Sequence, residues 1–116
     1  MARQKYHAKP TVVDGIRFAS KKEANRYMEL KLLVLAGEIE GITLQPGFKL
    51  GTDDAPVLMR SARYPNGRRA SYFADFKYKC KDGREIIEDV KGMDTPLSKL
   101  KRAVVEAQYG IRIVLV

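Results

Sequence analysis

Asp75-Phe-Lys-Tyr-Lys-Cys-Lys-Asp-Gly-Arg-Glu-Ile-Ile-Glu-Asp89-Val-Lys91 is the stretch on which the fold turns. It reads as two antiparallel strands, about 72–80 and 84–91, joined at Asp82-Gly83, because Asp-Gly between β-rich runs supplies the left-handed backbone of a hairpin. Loop length decides which residues share a face. A two-residue loop sets Lys81 opposite Arg84 and Phe76 opposite Asp89, mixing apolar and charged side chains. A three-residue loop, Lys81-Asp82-Gly83, sets Cys80 opposite Arg84 and Asp75 opposite Asp89. One face then carries Tyr72, Ala74, Phe76, Tyr78, Cys80, Ile86 and Val90, and the other carries Asp75, Asp89, Lys91 and a Lys79–Glu85 pair. A slip of one residue exchanges the two faces, so the hydrophobic pattern selects the second register.

That register has a chemical consequence. Directly opposed residues have Cβ atoms roughly 4.5–5.5 Å apart, close enough for two carboxylates to share a cation. Lys91 follows Asp89 on the same face, roughly 6.6 Å along the strand. Two carboxylates and a lysine on one sheet face suit Mg²⁺-assisted phosphodiester hydrolysis: the acids hold the hard cation, and the ammonium orients water or neutralises developing charge. Taken alone, Asp-x-Lys is short and frequent, and a surface ion-pair cluster is then the favoured account. Context has to decide.

The 116 residues are read as one domain, 1–116, long enough to bury about two-thirds of its unfolded surface. A lone cysteine, Cys80, excludes an intramolecular disulfide and a multi-cysteine zinc site, which points to a reducing compartment. The start, Met1 to His7, has no apolar core for a signal peptide, and Leu32–Ala36 is too short to span a bilayer. The expectation is a soluble cytoplasmic protein with no membrane partner. Twenty-two basic against 14 acidic residues, a formal charge of +8, point to a polyanion, nucleic acid being the commonest. The basic residues cluster at Arg3, Lys5 and Lys9, at Arg60, Arg63, Arg68 and Arg69, and at Lys99, Lys101 and Arg102.

Residues 1–10 read as a flexible basic tail in which His7 stands alone, more a solvated or phosphate-contacting residue than a metal ligand. Residues 11–18 read as a small hairpin around Asp14-Gly15. Ser20 starts a helix over about 21–36, ended by Gly37; Ala24, Tyr27, Met28, Leu32 and Leu35 recur at 3–4 spacing while Leu30, Leu33 and Val34 widen the stripe, so the helix is expected to be largely buried. Ser20-Lys-Lys-Glu23 is also a capping box, and the pattern alone assigns Glu23 to capping. Residues 39–50 read as a strand interrupted at Gln45-Pro46-Gly47, with Pro46 marking an edge or bulge. Residues 51–70 read as a long basic loop, or a short hairpin around Asn66-Gly67, whose four arginines suit a nucleic-acid contact. Thr95 as N-cap, Pro96 at the first position and Gly110 past the end bracket a helix to Tyr109. Its inner face is expected to be Leu97, Leu100, Val104 and Ala107, with Lys99, Arg102 and Glu106 outward. Ile111–Val116 reads as a strand parallel to 84–91, because strand–helix–strand crossovers are right-handed.

The resulting order is helix, three strands, helix, strand (αβββαβ), an α/β arrangement with a mixed central sheet flanked by helices. With an acidic residue on the first helix, Asp75 on the second strand and Asp89-Val90-Lys91 on the third, it resembles the PD-(D/E)XK, or restriction-endonuclease-like, nuclease core. Val13-Asp-Gly-Ile, Ser20-Lys-Lys-Glu-Ala, Leu44-Gln-Pro, Ala74-Asp-Phe and Glu88-Asp-Val-Lys-Gly are more specifically similar to a family of short phage-encoded proteins of that superfamily. Phage Holliday-junction endonucleases and transposon end-cleaving nucleases are similar as well. The resemblance covers nearly the whole chain.

By position, the resemblance implies Asp75 and Asp89 as metal ligands, Lys91 as the catalytic lysine, Glu23 as the helix glutamate and the Val90 carbonyl as a further metal ligand. It matches Gln45 to a polar residue found near the site in some members. The proline of the family name is replaced by Ala74. The activity implied is that of a Mg²⁺-dependent DNA endonuclease, with Mn²⁺ able to substitute, acting on branched or junction DNA as a homodimer. Arg60, Arg63, Arg68, Arg69, Lys99 and Arg102 would contact DNA. Two other classes compete: a non-catalytic nucleic-acid-binding protein that kept the fold, and an assembly protein whose charge serves only solubility. The complete set Asp75, Asp89 and Lys91 argues against a lapsed site.

Overall fold

A computed structural model describes residues 9–116; Arg3, Lys5, His7 and most of the tail expected over 1–10 lie outside the described residues. The chain opens with a hairpin, β1 (Thr11–Val13) and β2 (Ile16–Phe18), paired Val13 to Ile16 across Asp14-Gly15. Both loop residues take positive φ, 52° and 75°, the mirror-image turn that matches strand twist. Helix α1 (Lys21–Leu35) follows. The Ser20 hydroxyl accepts the Glu23 N–H at 3.1 Å, which satisfies one of the open donors at the helix start.

Next come β3 (Ile39–Leu44), β4 (Gly47–Lys49), β5 (Leu58–Met59), β6 (Arg68–Arg69), β7 (Ser71–Phe73), β8 (Phe76–Cys80) and β9 (Glu85–Asp89). Helix α2 (Pro96–Tyr109) and β10 (Ile113–Leu115) close the chain. The central sheet is four-stranded and mixed, in the order β10-β9-β8-β3, with β10 parallel to β9 and the other pairs antiparallel. Thr95 caps α2 by accepting the Ser98 N–H, and Gly110 ends it in the left-handed region.

The hairpin register is the one that the apolar pattern selects. Phe76 faces Glu88, Tyr78 faces Ile86 and Lys79 faces Glu85. The three-residue loop is held by Cys80 N–H to Arg84 O (2.8 Å) and Gly83 N–H to Cys80 O (3.0 Å). The expected strand 72–80 is not continuous, however. It breaks at Ala74-Asp75, where Asp75 N–H bonds Glu88 O and Ala74 N–H bonds Pro46 O, each at 3.0 Å. The partner strand breaks opposite, at Gln45-Pro46, with Gln45 at φ 49°. Beyond the break the same ribbon continues as β4 with β7, Gly47 facing Phe73.

This break moves Tyr72 and Ala74 to the other side of the sheet from where unbroken alternation puts them. Each side has its own core. Towards α1 lie Phe18, Ala24, Tyr27, Leu30, Ile39, Phe76, Tyr78 and Val90. Towards α2 lie Leu50, Ala70, Tyr72, Ala74, Ile87, Val105 and Ile113. Asp75 sits at the crossing between them.

The buried face of α1 is narrower than the expected stripe, and α2 is rotated from its expected face. On α1 the buried residues are Glu23, Ala24, Tyr27 and Leu30, while Leu32 and Leu35 stand 66% and 82% exposed. The cause is polar: Arg26 reaches inward to Glu88, and a charge pair fixes the rotation that apolar spacing alone leaves open. On α2 Leu97 and Leu100 are exposed. Val105 is buried, and Lys101 and Arg102 turn towards the sheet. Among the described residues, no helix is long and apolar enough to cross a membrane.

Candidate active site

Asp75 follows the break in the ribbon and Asp89 ends β9, so extending the β8–β9 register by one residue sets them opposite each other. Asp75 Oδ2 accepts the Val90 N–H at 2.6 Å, which ties its carboxyl to the backbone just after Asp89. Opposed residues on paired strands have Cβ atoms roughly 4.5–5.5 Å apart, close enough for two carboxylates to share a cation.

Asp89 is buried and well supported. Its Oδ2 lies 2.8 Å from Lys91 Nζ and accepts the Tyr72 hydroxyl. Burial works to raise the Asp89 carboxyl, but bonds from Asp75, Lys91 and Tyr72, with the Lys91 charge, outweigh it and hold Asp89 below its ordinary value. Burial, reinforced by Asp89, pushes the Tyr72 hydroxyl well above the usual phenol range, so Tyr72 stays a neutral donor.

Lys91 lies against α2, 3.3 Å from Ser98 Oγ and 3.9 Å from Asp94 Oδ1. Asp94 is gripped by the Arg102 fork at 3.1 and 2.7 Å, chiefly through which its carboxyl is held below the usual range. From the α1 side, Lys22 Nζ donates to the Lys91 carbonyl at 2.7 Å. The Asp89-Val90-Lys91 segment is thus clamped between the first turns of both helices.

Glu23 approaches from the α1 side. It is buried and lines a cavity of about 140 Å³ with Asp75, Gln45, Ile16, Arg17, Phe18, Leu44 and Phe76. The Ser20 half of the capping box is present, and Glu23 also lines the cavity that holds Asp75, so the first turn serves both features. Gln45 N–H bonds Asp75 O at 3.0 Å, and its left-handed backbone is a strain that tight surroundings must maintain.

Asp75 therefore shares a cavity with Glu23 and stands opposite Asp89. Among the described residues, no group of three or more His, Cys, Asp or Glu side chains is gathered as a metal cluster. The donor set suits a hard dication held by two carboxylates and completed by water and backbone oxygen, a mode natural to Mg²⁺. Val90 buries its side chain in the α1-side core, which fixes the backbone carrying the carbonyl that the resemblance implicates.

The basic residues divide. Arg60, Arg63 and Arg68 stand on the exposed β5–β6 ribbon, and Lys99 is exposed on α2. Arg69 is committed to the scaffold, donating to Leu50 O at 2.8 Å and Gly51 O at 2.9 Å. Arg102 does not point outward as expected; its side chain is only 11% exposed and holds Asp94.

Sequence reasoning missed Tyr72, Lys22, Arg26, Glu88, Asp94 and Ser98. Glu88 had a signal, because the register that opposes Asp75 to Asp89 also puts Glu88 beside Phe76 on an apolar face. A charge there demands a partner. Arg26 supplies it through two bonds, 2.8 and 2.6 Å, and the Tyr78 hydroxyl donates as well.

Residues 3–114 match the family described as "Protein of unknown function (DUF1064)". No curated protein and no solved structure matches the chain.

Proposed function

The chain belongs to the DUF1064 family, and we propose that it is a Mg²⁺-dependent DNA endonuclease of restriction-endonuclease-like fold. The observation that carries this reading is Asp75 set opposite Asp89 at the end of the β8–β9 ribbon, with Lys91 Nζ 2.8 Å from Asp89. The path through the central sheet, α1, β3, β8, β9, α2 and β10, supports the fold assignment. Asp75 and Asp89 would hold the cation with the Val90 carbonyl, and Glu23 would join through the shared cavity. When bound, Mg²⁺ supplies a Lewis acid at the phosphate and a more acidic water.

The chain's own groups do the rest. The Lys91 ammonium orients the attacking water and neutralises charge developing on the phosphate oxygens. Water attacks phosphorus opposite the leaving oxygen and releases a proton to solvent, the P–O bond on the far side breaks, and the leaving oxygen takes up a proton from solvent, so that one water is added across the bond. Tyr72, held neutral, keeps Asp89 aimed, and Ser98 and Asp94 hold Lys91. Arg60, Arg63, Arg68 and Lys99 supply phosphate contacts, which position the duplex without reading its sequence. Branched DNA is the substrate of this reading, and paired cuts across a junction require a two-fold dimer.

Incubation of the full chain with linear, nicked and four-way DNA, in Mg²⁺, Mn²⁺ or EDTA, tests it. Cleavage in either metal and none in EDTA is the expected result. Intact DNA in every metal condition, with DNA binding retained, would leave a binding protein and remove the enzyme.

A further inference from the structure

The β5–β6 ribbon carries more than charge. Its loop, residues 60–67, closes around Tyr64. Tyr64 and Ser61 exchange backbone hydrogen bonds at 3.1 Å each, and Gly67 N–H donates to the Tyr64 carbonyl at 2.9 Å. Ser61 Oγ takes a further bond from the Tyr64 N–H at 3.2 Å, and Arg60 Nε donates to Pro65 O at 3.0 Å. Gly67, at φ 94°, passes so near Leu58 that an added Cβ would stand 2.7 Å from the Leu58 Cβ. The loop is built tightly around one residue, yet the Tyr64 side chain contributes little to either core and the residue remains 38% exposed. Above the ring stand two guanidiniums, Arg63 at 5.6 Å and Arg68 at 5.3 Å.

We propose that Tyr64 is a stacking platform for an unpaired nucleobase, with Arg63 and Arg68 moving from its ring to the flanking phosphates. The inference rests on the endonuclease reading and narrows its substrate to DNA that offers a base outside the duplex. Phosphate binding alone would need only the arginines. A flat ring adds a surface that phosphates cannot use and every base can, because each base has a π face. An exposed cation–π contact is weaker than a charge-assisted pair between arginine and phosphate, so the guanidiniums gain by the exchange and the ring becomes available. The platform is also joined to the chemistry. From Arg68 the chain runs through β7 to Asp75, seven residues on, a span of at most about 23 Å if fully extended.

The chain contains no tryptophan, so Tyr64→Trp places a single indole at the platform. In EDTA, where nothing is cut, this variant is titrated with a fluorescently labelled duplex bearing a short single-stranded gap, and with the continuous duplex of the same sequence. Tryptophan emission reports stacking and the anisotropy of the labelled DNA reports binding. The gapped duplex should quench the indole and the continuous one should not. Tyr64→Ala should lose about tenfold in affinity for the gapped duplex, Tyr64→Phe little, and neither should change binding of the continuous duplex. Unchanged emission while anisotropy shows both DNAs bound, or equal gap affinity in Tyr64→Ala and wild type, overturns the platform and leaves the endonuclease reading standing. Flat anisotropy with both DNAs overturns the two together.

Discussion

Arg26 on α1 holds both oxygens of Glu88 on β9, Nε to Oε1 at 2.8 Å and Nη2 to Oε2 at 2.6 Å. Glu23 lies one turn before Arg26 and Asp89 immediately after Glu88, so this pair fixes the helix glutamate relative to the strand acids. The Glu88 hydrogen bond holds the Arg26 guanidinium well above its ordinary range, and Arg26 remains charged throughout.

Removing one partner of a buried pair leaves the other charge uncompensated. Arg26→Met should therefore cost about 3 kcal/mol, the low end of the range because Arg26 is partly exposed. Arg26→Lys should fall between, since a lysine keeps the charge but not the two-pronged geometry. Urea unfolding of the three proteins checks this. Equal midpoints would mean that Glu88 finds another partner.

How much of this was legible in the sequence depends on what each residue advertises. Asp82-Gly83 announces its turn and the strands around it alternate, so the pairing of Phe76 with Glu88 follows from pattern. Thr95, Pro96 and Gly110 mark both ends of α2. The interruption at Gln45-Pro46-Gly47 was legible from Pro46, but the matching break at Ala74-Asp75 was hidden, because neither alanine nor aspartate there marks the end of a strand. Leu97 and Leu100 misled for a related reason. Periodicity names an apolar face but cannot weigh it against Arg102 drawn inward to Asp94.

Glu23 and Ser20 share one helix turn and should separate on mutation. Glu23→Gln keeps hydrogen-bonding capacity but is a poorer cation ligand. It should melt near wild type while cleavage falls at least about tenfold, or 1.4 kcal/mol in the barrier. Ser20→Ala should cost about 1 kcal/mol in stability and spare most activity. Wild-type cleavage by Glu23→Gln would make Glu23 a structural residue only.

Asp94 provides an acid-side test. Its carboxyl is held low, first by the Arg102 hydrogen bonds, so its folded value lies below the unfolded one of about 3.9. Stability from such a group is present above the unfolded value and is lost as pH falls through the folded one. Asp94→Asn should thus melt below wild type at neutral pH, and the difference should close as pH drops below about 3.9. A gap that persists at acid pH would point to packing rather than charge.

The arginines of the ribbon should divide in a salt titration. Replacing Arg60, Arg63 and Arg68 together should weaken duplex binding and reduce the log–log salt slope by about 0.9 for each phosphate that is no longer neutralised. Arg69→Ala should leave the slope unchanged and lower stability by roughly 1 kcal/mol, because the Leu50 and Gly51 carbonyls lose their donor. A slope change in Arg69→Ala alone would reverse this division.

The most direct test of the two-carboxylate site is the Mg²⁺ dependence of cleavage in wild type, Asp75→Ala and Asp89→Ala, with DNA affinity followed in parallel in EDTA. The account predicts that wild type cuts in proportion to Mg²⁺ occupancy. Both variants should bind DNA at least as tightly, since a charge that repels phosphate is gone, and should cut nothing at any Mg²⁺ concentration. Cleavage by either variant at the wild-type rate across the titration would contradict it.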